Sequence, residues 1–150
     1  MVKKILSSLL VITFILVAYC YWYADSLSPQ YIGETNVYGL SGEVEVYFDD
    51  YGIPHIYASN EEDAYRALGY AHAQDRLWQM EVVRRIAPGR LAEIFGSKLL
   101  KVDKLFRSLG VQQYSEKTLT AFEANGDPKI KRAAQAYLDG INTFVANGPT

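Results

Sequence analysis

The chain has 150 residues, enough for one ordinary domain, and the part after Ala24 carries 13 basic against 17 acidic side chains. That mild acidity gives no electrostatic reason to expect nucleic acid or anionic lipid as a partner. Cys20 is the only cysteine, so the part beyond it has neither a disulfide of its own nor thiolate chemistry.

The N-terminus is not domain material. Residues 5 to 23 contain no charged side chain, and Lys3 and Lys4 stand directly before them. As a helix that run is about 28 Å long, close to the hydrocarbon thickness of a bilayer. Residues 1–24 therefore read as an uncleaved signal anchor or a cleaved signal peptide. The run ends Tyr19-Cys20-Tyr21-Trp22-Tyr23. Large aromatics suit the belt at a membrane surface and not a peptidase site, which needs small residues. Tyr19 also stands where a small residue would precede a lipidated Cys20. Lys3 and Lys4 orient the segment so that everything after Tyr23 lies outside the cytoplasm.

Residues 25–42, rich in Ser, Gly, Pro and Asn, read as a linker. Residues 43 to 48 alternate, with Val44, Val46 and Phe48 on one face and Glu43, Glu45 and Tyr47 on the other, which predicts a half-buried strand. Asp49-Asp50-Tyr51-Gly52 is a turn. A second short strand over 53–58 follows, placed at an edge or a bulge by Pro54. Ser59 and Glu62 form a capping-box pattern for a long helix, with Glu61, Glu62 and Asp63 in its first turn. It runs to Ala87 and stops at Pro88-Gly89. Glu62–Arg66 and Glu81–Arg85 are favourable four-residue pairs on its surface. A short helix over 91–95 ends at Gly96, and another runs from near Ser97 to Gly110. The next strong pattern is Ala134, Tyr137, Leu138, Ile141, Phe144, Val145, an amphipathic helix entered through Asp127-Pro128.

One hairpin followed by helices makes the class α+β. A lone two-stranded hairpin is marginal in water, and nothing later alternates like a strand. The expectation is a sheet completed by sequence absent from this chain.

Few residues invite chemistry. On the long helix an apolar stripe runs through Ala64, Leu68, Ala71, Trp78, Val82 and Ile86, and Asp75 falls on it, with His72 one turn before. His72 and Asp75 could share a metal or work as an acid–base pair, but no third ligand is spaced to join them. The blander reading is a buried structural Asp75, satisfied by Arg76, Arg84 or backbone amides. Ser41, His55 and Asp75 assemble a triad only on paper. Gly39-Leu40-Ser41-Gly42 lacks the spacing of a nucleophile elbow, because Glu43 follows. There is no phosphate loop, zinc-spaced Cys/His set or calcium-loop pattern. Catalytic, substrate-binding and metal residues are accordingly assigned to none of these positions.

Three runs carry a resemblance: Asp49-Asp50-Tyr51-Gly52-Ile53-Pro54-His55-Ile56, then Gly69-Tyr70-Ala71-His72-Ala73-Gln74-Asp75-Arg76-Leu77-Trp78-Gln79-Met80-Glu81 with Arg84-Arg85, then Gly89-Arg90-Leu91-Ala92-Glu93-Ile94-Phe95-Gly96. Asp103, Arg107 and Asp139-Gly140-Ile141-Asn142 continue it. Together they resemble the start of the α-chain of the penicillin acylase family, which includes penicillin, cephalosporin and acyl-homoserine-lactone acylases. Phe48, where an arginine often precedes the aspartate, is a mild departure.

The resemblance implies that residues 43–150 are an N-terminal piece of a four-layer αββα Ntn-hydrolase fold, preceded by the transmembrane or signal helix. It implies an enzyme that hydrolyses N-acyl amides with an N-terminal serine, freed by self-cleavage beyond this chain, so this piece alone is expected to be inactive. Ser97 does not match that serine, since Lys98 follows. The family's α-chain pocket and calcium residues would lie past Thr150. No cofactor is expected for catalysis, with structural calcium left to the full-length protein. Expected partners are an N-acyl amide substrate, the β-chain of the same precursor and, through residues 5–23, the membrane. Asp75, Arg76 and Glu81 would hold the two chains together. The rival reading is a non-catalytic, membrane-anchored binding or assembly module.

Overall fold

The computed structural model describes residues 2–26, 28–29 and 31–147. They fall into two units, one ending at Gly33 and one from Glu34 to Gly148.

The N-terminal unit is built on α1, Val2–Ser26. It outruns the uncharged stretch because Ala24, Asp25 and Ser26 continue the last turn. The Ser26 hydroxyl then donates to the Tyr23 carbonyl (2.7 Å) and the Ser28 amide to that of Asp25 (3.0 Å), closing the helix. Among the described residues this is the one helix long and apolar enough to cross a membrane, with mean hydropathy 2.1 over Lys4–Ser26. A signal sequence meets the same test.

The second unit opens with the hairpin. β1 (Glu45–Phe48) pairs antiparallel with β2 (Pro54–Tyr57), setting Val46 opposite Ile56 and Tyr47 opposite His55. Asp49 drives the turn: its carboxylate accepts the amides of Tyr51 and Ile53, each at 2.9 Å, and Gly52 takes the left-handed φ of 73°. Pro54 opens its strand, where a missing amide is tolerated. Val46, Phe48 and Ile56 are half-buried on one face, while the Tyr47 and Tyr57 rings meet edge-on across the other, 5.9 Å apart. Both strands are shorter than the alternation predicted. The ladder is two-stranded, so the class reading is met by a small sheet within a largely helical chain.

α2 spans Glu61–Ile86. Its cap lies one residue later than the predicted Ser59–Glu62 box: Asn60 Oδ1 accepts the Asp63 amide at 2.8 Å. Arg76, at φ −144° and ψ 30°, breaks the helical backbone with neither Pro nor Gly beside it. Across that kink the predicted stripe holds only in part, Ala64, Leu68, Val82 and Ile86 being half-buried. Ala67, Gly69, Ala71 and Ala73 are buried before it, whereas Trp78 beyond it is 56% exposed. Beyond Pro88-Gly89 come α3 (Ala92–Phe95), a 3-10 turn (Ser97–Leu99), α4 (Leu100–Leu109), closed by left-handed Gly110, α5 (Val111–Asn125) and α6 (Pro128–Asn147). α5 is a helix that no periodicity in the sequence predicts. Asp127 caps α6 by accepting the Lys129 amide at 2.8 Å, with Pro128 in the first turn.

α2 and α6 make the main contact of the unit. Gly69 and Gly140 permit it: a Cβ on Gly69 would collide with the Tyr137 carbonyl, and one on Gly140 with that of Arg66. Around the crossing lie the buried Ala67, Ala71, Ala73 and Ala136, the Tyr70–Phe144 rings in edge contact at 5.5 Å, and the ion pairs Glu61–Lys129 and Glu62–Arg132, both at 2.8 Å. Glu62 thus serves α6 and not the predicted Arg66.

Candidate functional site

Two carboxylates are buried among the described residues, and Asp75 is neither of them. Asp63, 1% exposed, accepts the Ser41 amide on both oxygens (3.1 Å each), the Ser41 hydroxyl (2.6 Å), the Asn60 side-chain amide (2.7 Å) and the Arg66 guanidinium (3.2 Å). Arg66 reaches on to Asp139 of α6 at 3.5 Å, and its Nε lies buried without a partner beneath Gly39, whose φ is 85°. Burial alone would raise the Asp63 pKa. The Ser41 hydroxyl, the Asn60 and Ser41 amides and the Arg66 charge outweigh it and hold the carboxyl below its ordinary value. A carboxylate so fully bonded has nothing left for acid–base work. It joins the linker to α2 and, through Arg66, to α6.

Asp103 does the same for the connection between α2 and α6. It is 5% exposed, and its two oxygens accept the amides of Leu91 and Ala92 at 2.8 Å, capping α3 from α4. Arg107 adds a bond from Nε to the Gly89 carbonyl at 3.0 Å. Gly89 needs to be glycine: its φ is 66°, and a Cβ would press on the Asp103 carbonyl.

A third set lies near the surface. Glu81 takes Arg84 in a two-bonded fork (2.7 and 2.9 Å) and Arg85 at 2.6 Å; Arg85 continues to Glu93, which takes Arg90 in a second fork. Arg84 first and Arg85 next pull the Glu81 carboxyl down to about 2. The Glu81–Arg85 pair forms as predicted, as the centre of a larger network.

The residues singled out for chemistry are not gathered together. Ser41 is committed to Asp63. His55 is exposed and lies 3.4 Å from Asp49. His72 meets the Tyr137 hydroxyl across the helix crossing at 3.1 Å. Asp75 is half-buried and engaged, against the expectation of a buried site. Ser97 is exposed at the start of the 3-10 turn. Among the described residues no three His, Cys, Asp or Glu side chains could jointly hold a metal ion, so no calcium set is found here. An open groove of about 650 Å³ lies between β2, α2 and α6, floored by Ile56, Ala64, Leu68, Ile130 and Ala133. Tyr65 and the Glu61–Lys129 pair edge it, and no Ser, Cys or His lines it. These clusters can position helices, but they hold no nucleophile beside a free base.

The family model described as penicillin amidase matches residues 43–150. The chain belongs to the penicillin amidase family. It is 48% identical over 120 residues to the penicillin acylase 2 proenzyme of Pseudomonas sp. (strain SE83), a match covering 80% of this chain and 15% of that one. It is 37% identical over 123 residues to an acyl-homoserine lactone acylase of Pseudomonas putida, covering 82% and 14%. The thermostable penicillin G acylase of Alcaligenes faecalis superposes with a TM-score of 0.58 at 31% identity, over 69% of this chain and 53% of that one. The chain thus spans about a seventh of the length of these curated relatives. Many positions that carried the resemblance are the joints just described: Glu81, Arg84, Arg85, Gly89, Asp103, Arg107 and Gly140. Asp63, the most heavily bonded of all, was read from sequence only as first-turn charge. Its signal was Ser41 in a tight glycine-flanked loop 22 residues earlier, a pairing that local periodicity does not display.

Proposed function

We propose that the full-length protein hydrolyses N-acyl amides, using an N-terminal serine that self-cleavage exposes beyond this chain. The α-amino group of that serine would act as its base, since an α-amino pKa near 7.7–8.0 leaves much of it unprotonated near neutral pH. The observation that carries the reading is the family match over 43–150, with the proenzyme and acyl-homoserine lactone acylase likenesses beside it. The geometry of this chain agrees, because its two buried carboxylates, among the described residues, are spent on joints. The same segment covers a far larger share of the solved Alcaligenes chain than of the proenzyme, which suits a precursor divided into chains. On this reading the hairpin joins a larger sheet of the four-layer αββα kind, and the faces left apolar pack on the β-chain. α1 would hold the enzyme in the membrane with its catalytic part outside the cytoplasm, its length and aromatic end supporting anchorage.

Purified full-length protein, given phenylacetyl, glutaryl and long-chain acyl amides, is expected to release free amine from at least one class. Replacing the new N-terminal serine by alanine is expected to abolish both self-cleavage and turnover. Hydrolysis that survives the replacement, or a full-length protein without such a serine, would overturn the proposal.

A further inference from the structure

We propose that the chain leaving α1 is an interfacial foot, with Tyr31 and Ile32 seated in the headgroup layer of the bilayer that α1 spans. This rests on the anchor reading above and concerns the N-terminal unit alone. Residues 5 to 23 of α1 match the hydrocarbon core in length, which sets Tyr23 at its edge. There Tyr19 lies against both Trp22 (centroids 6.1 Å apart) and Tyr23 (6.4 Å), a cluster of amphipathic rings suited to the water–lipid boundary. Asp25 and Ser26 then finish the helix where water can reach them.

Beyond that end a linker of mostly small and polar residues still carries two large side chains. Between Asp25 and Glu34 there is no charged side chain, and Tyr31 and Ile32 are 48% and 95% exposed. Among the described residues of the unit none covers that isoleucine. Ile32 lies six residues past Ser26, so even fully extended chain carries it no more than about 20 Å from the helix end. That keeps Ile32 within reach of the headgroup layer, about 5–8 Å thick on each side. Gly33, at φ 122°, supplies a backbone turn immediately after the pair, where the chain can leave the surface. No cation lies between Lys4 and Glu34, so the foot responds to interfacial polarity and not to lipid charge.

The test places an environment-sensitive fluorescent amino acid at position 32 of the full-length protein, in vesicles of phosphatidylcholine carrying a nitroxide near the headgroup. Parallel samples carry it at position 17, inside α1, and at position 116, on exposed α5. The expected result at 32 is blue-shifted emission largely lost to the nitroxide, unchanged when anionic lipid is added, while 116 stays unquenched. Emission at 32 matching that at 116, with 17 quenched, would overturn the foot and leave the anchor standing. If 17 is unquenched, or absent from the mature protein, anchor and foot fall together.

Discussion

The α2–α6 crossing and the connection from α3 to α5 are built by opposite means. At the crossing, reciprocal glycines and buried alanines let two backbones come together, so shape sets the separation, and ion pairs from α2 to Lys129, Arg132 and Asp139 tie the rim. In the connection, hydrogen bonds do the fixing: Asp103 holds the start of α3 and Arg107 holds Gly89. Four of its leucines stay outside, Leu100, Leu105, Leu109 and Leu119 being between 48% and 64% exposed. The crossing is closed by small residues and the connection by polar clamps, and both keep an apolar side for something else, with Trp78, Val83, Leu138 and Val145 of α2 and α6 between 50% and 65% exposed. In the proposed full-length enzyme that something is the β-chain.

The comparison can be broken first at the joint beneath the crossing. Asp63→Ala would leave Arg66 buried and short of its partner, an expected loss of about 3–5 kcal/mol in chemical denaturation of the full-length protein. The acid limb carries the same signature. Because the folded pKa of Asp63 lies below its ordinary value of 3.8, its contribution is complete above that value and is lost as pH falls through the folded pKa. Asp63→Asn should flatten that part of the stability–pH curve below about pH 4, and an unchanged curve would count against the joint.

Gly140→Ala should cost about 1–3 kcal/mol, toward the upper end because the clash is with backbone at Arg66. A neutral result would mean the helices are not held at this separation. Asn60→Ala tests the revised cap and should cost about 1 kcal/mol, while Ser59→Ala should cost nearly nothing. The reverse order would restore the predicted box. Smallest is the Glu62–Arg132 pair at the exposed rim, where a double-mutant cycle should return less than about 1 kcal/mol, shrinking with added salt.

These residues also mark what could be read in advance. The hairpin, the stop at Pro88-Gly89, the left-handed end at Gly110 and the entry through Asp127-Pro128 were legible, because each rests on local backbone chemistry. The cap of α2 was misplaced by one residue because both registers present a capping side chain with an acid three positions on. Ser41, far away in sequence, binds Asp63 and favours the later one. α5 was missed because none of its residues is buried, so packing left no period in its sequence. Trp78, which periodicity places in the core, instead meets the Phe95 ring edge-on at 6.0 Å and stays 56% exposed. At the candidate site Ser41 is bonded to Asp63 and His55 lies beside Asp49, so neither joins Asp75. The burial of Asp63 is a tertiary fact that no single window contains.

If these residues are joints and not chemistry, turnover per matured active site should be indifferent to them. The direct measurement is active-site-titrated turnover of full-length protein carrying Asp63→Ala or Asp75→Ala, recorded beside the yield of self-cleaved enzyme. The predicted result is a reduced yield, with near-normal turnover in the molecules that mature. A normal yield with turnover collapsed would place these carboxylates in the reaction and contradict the scaffold role.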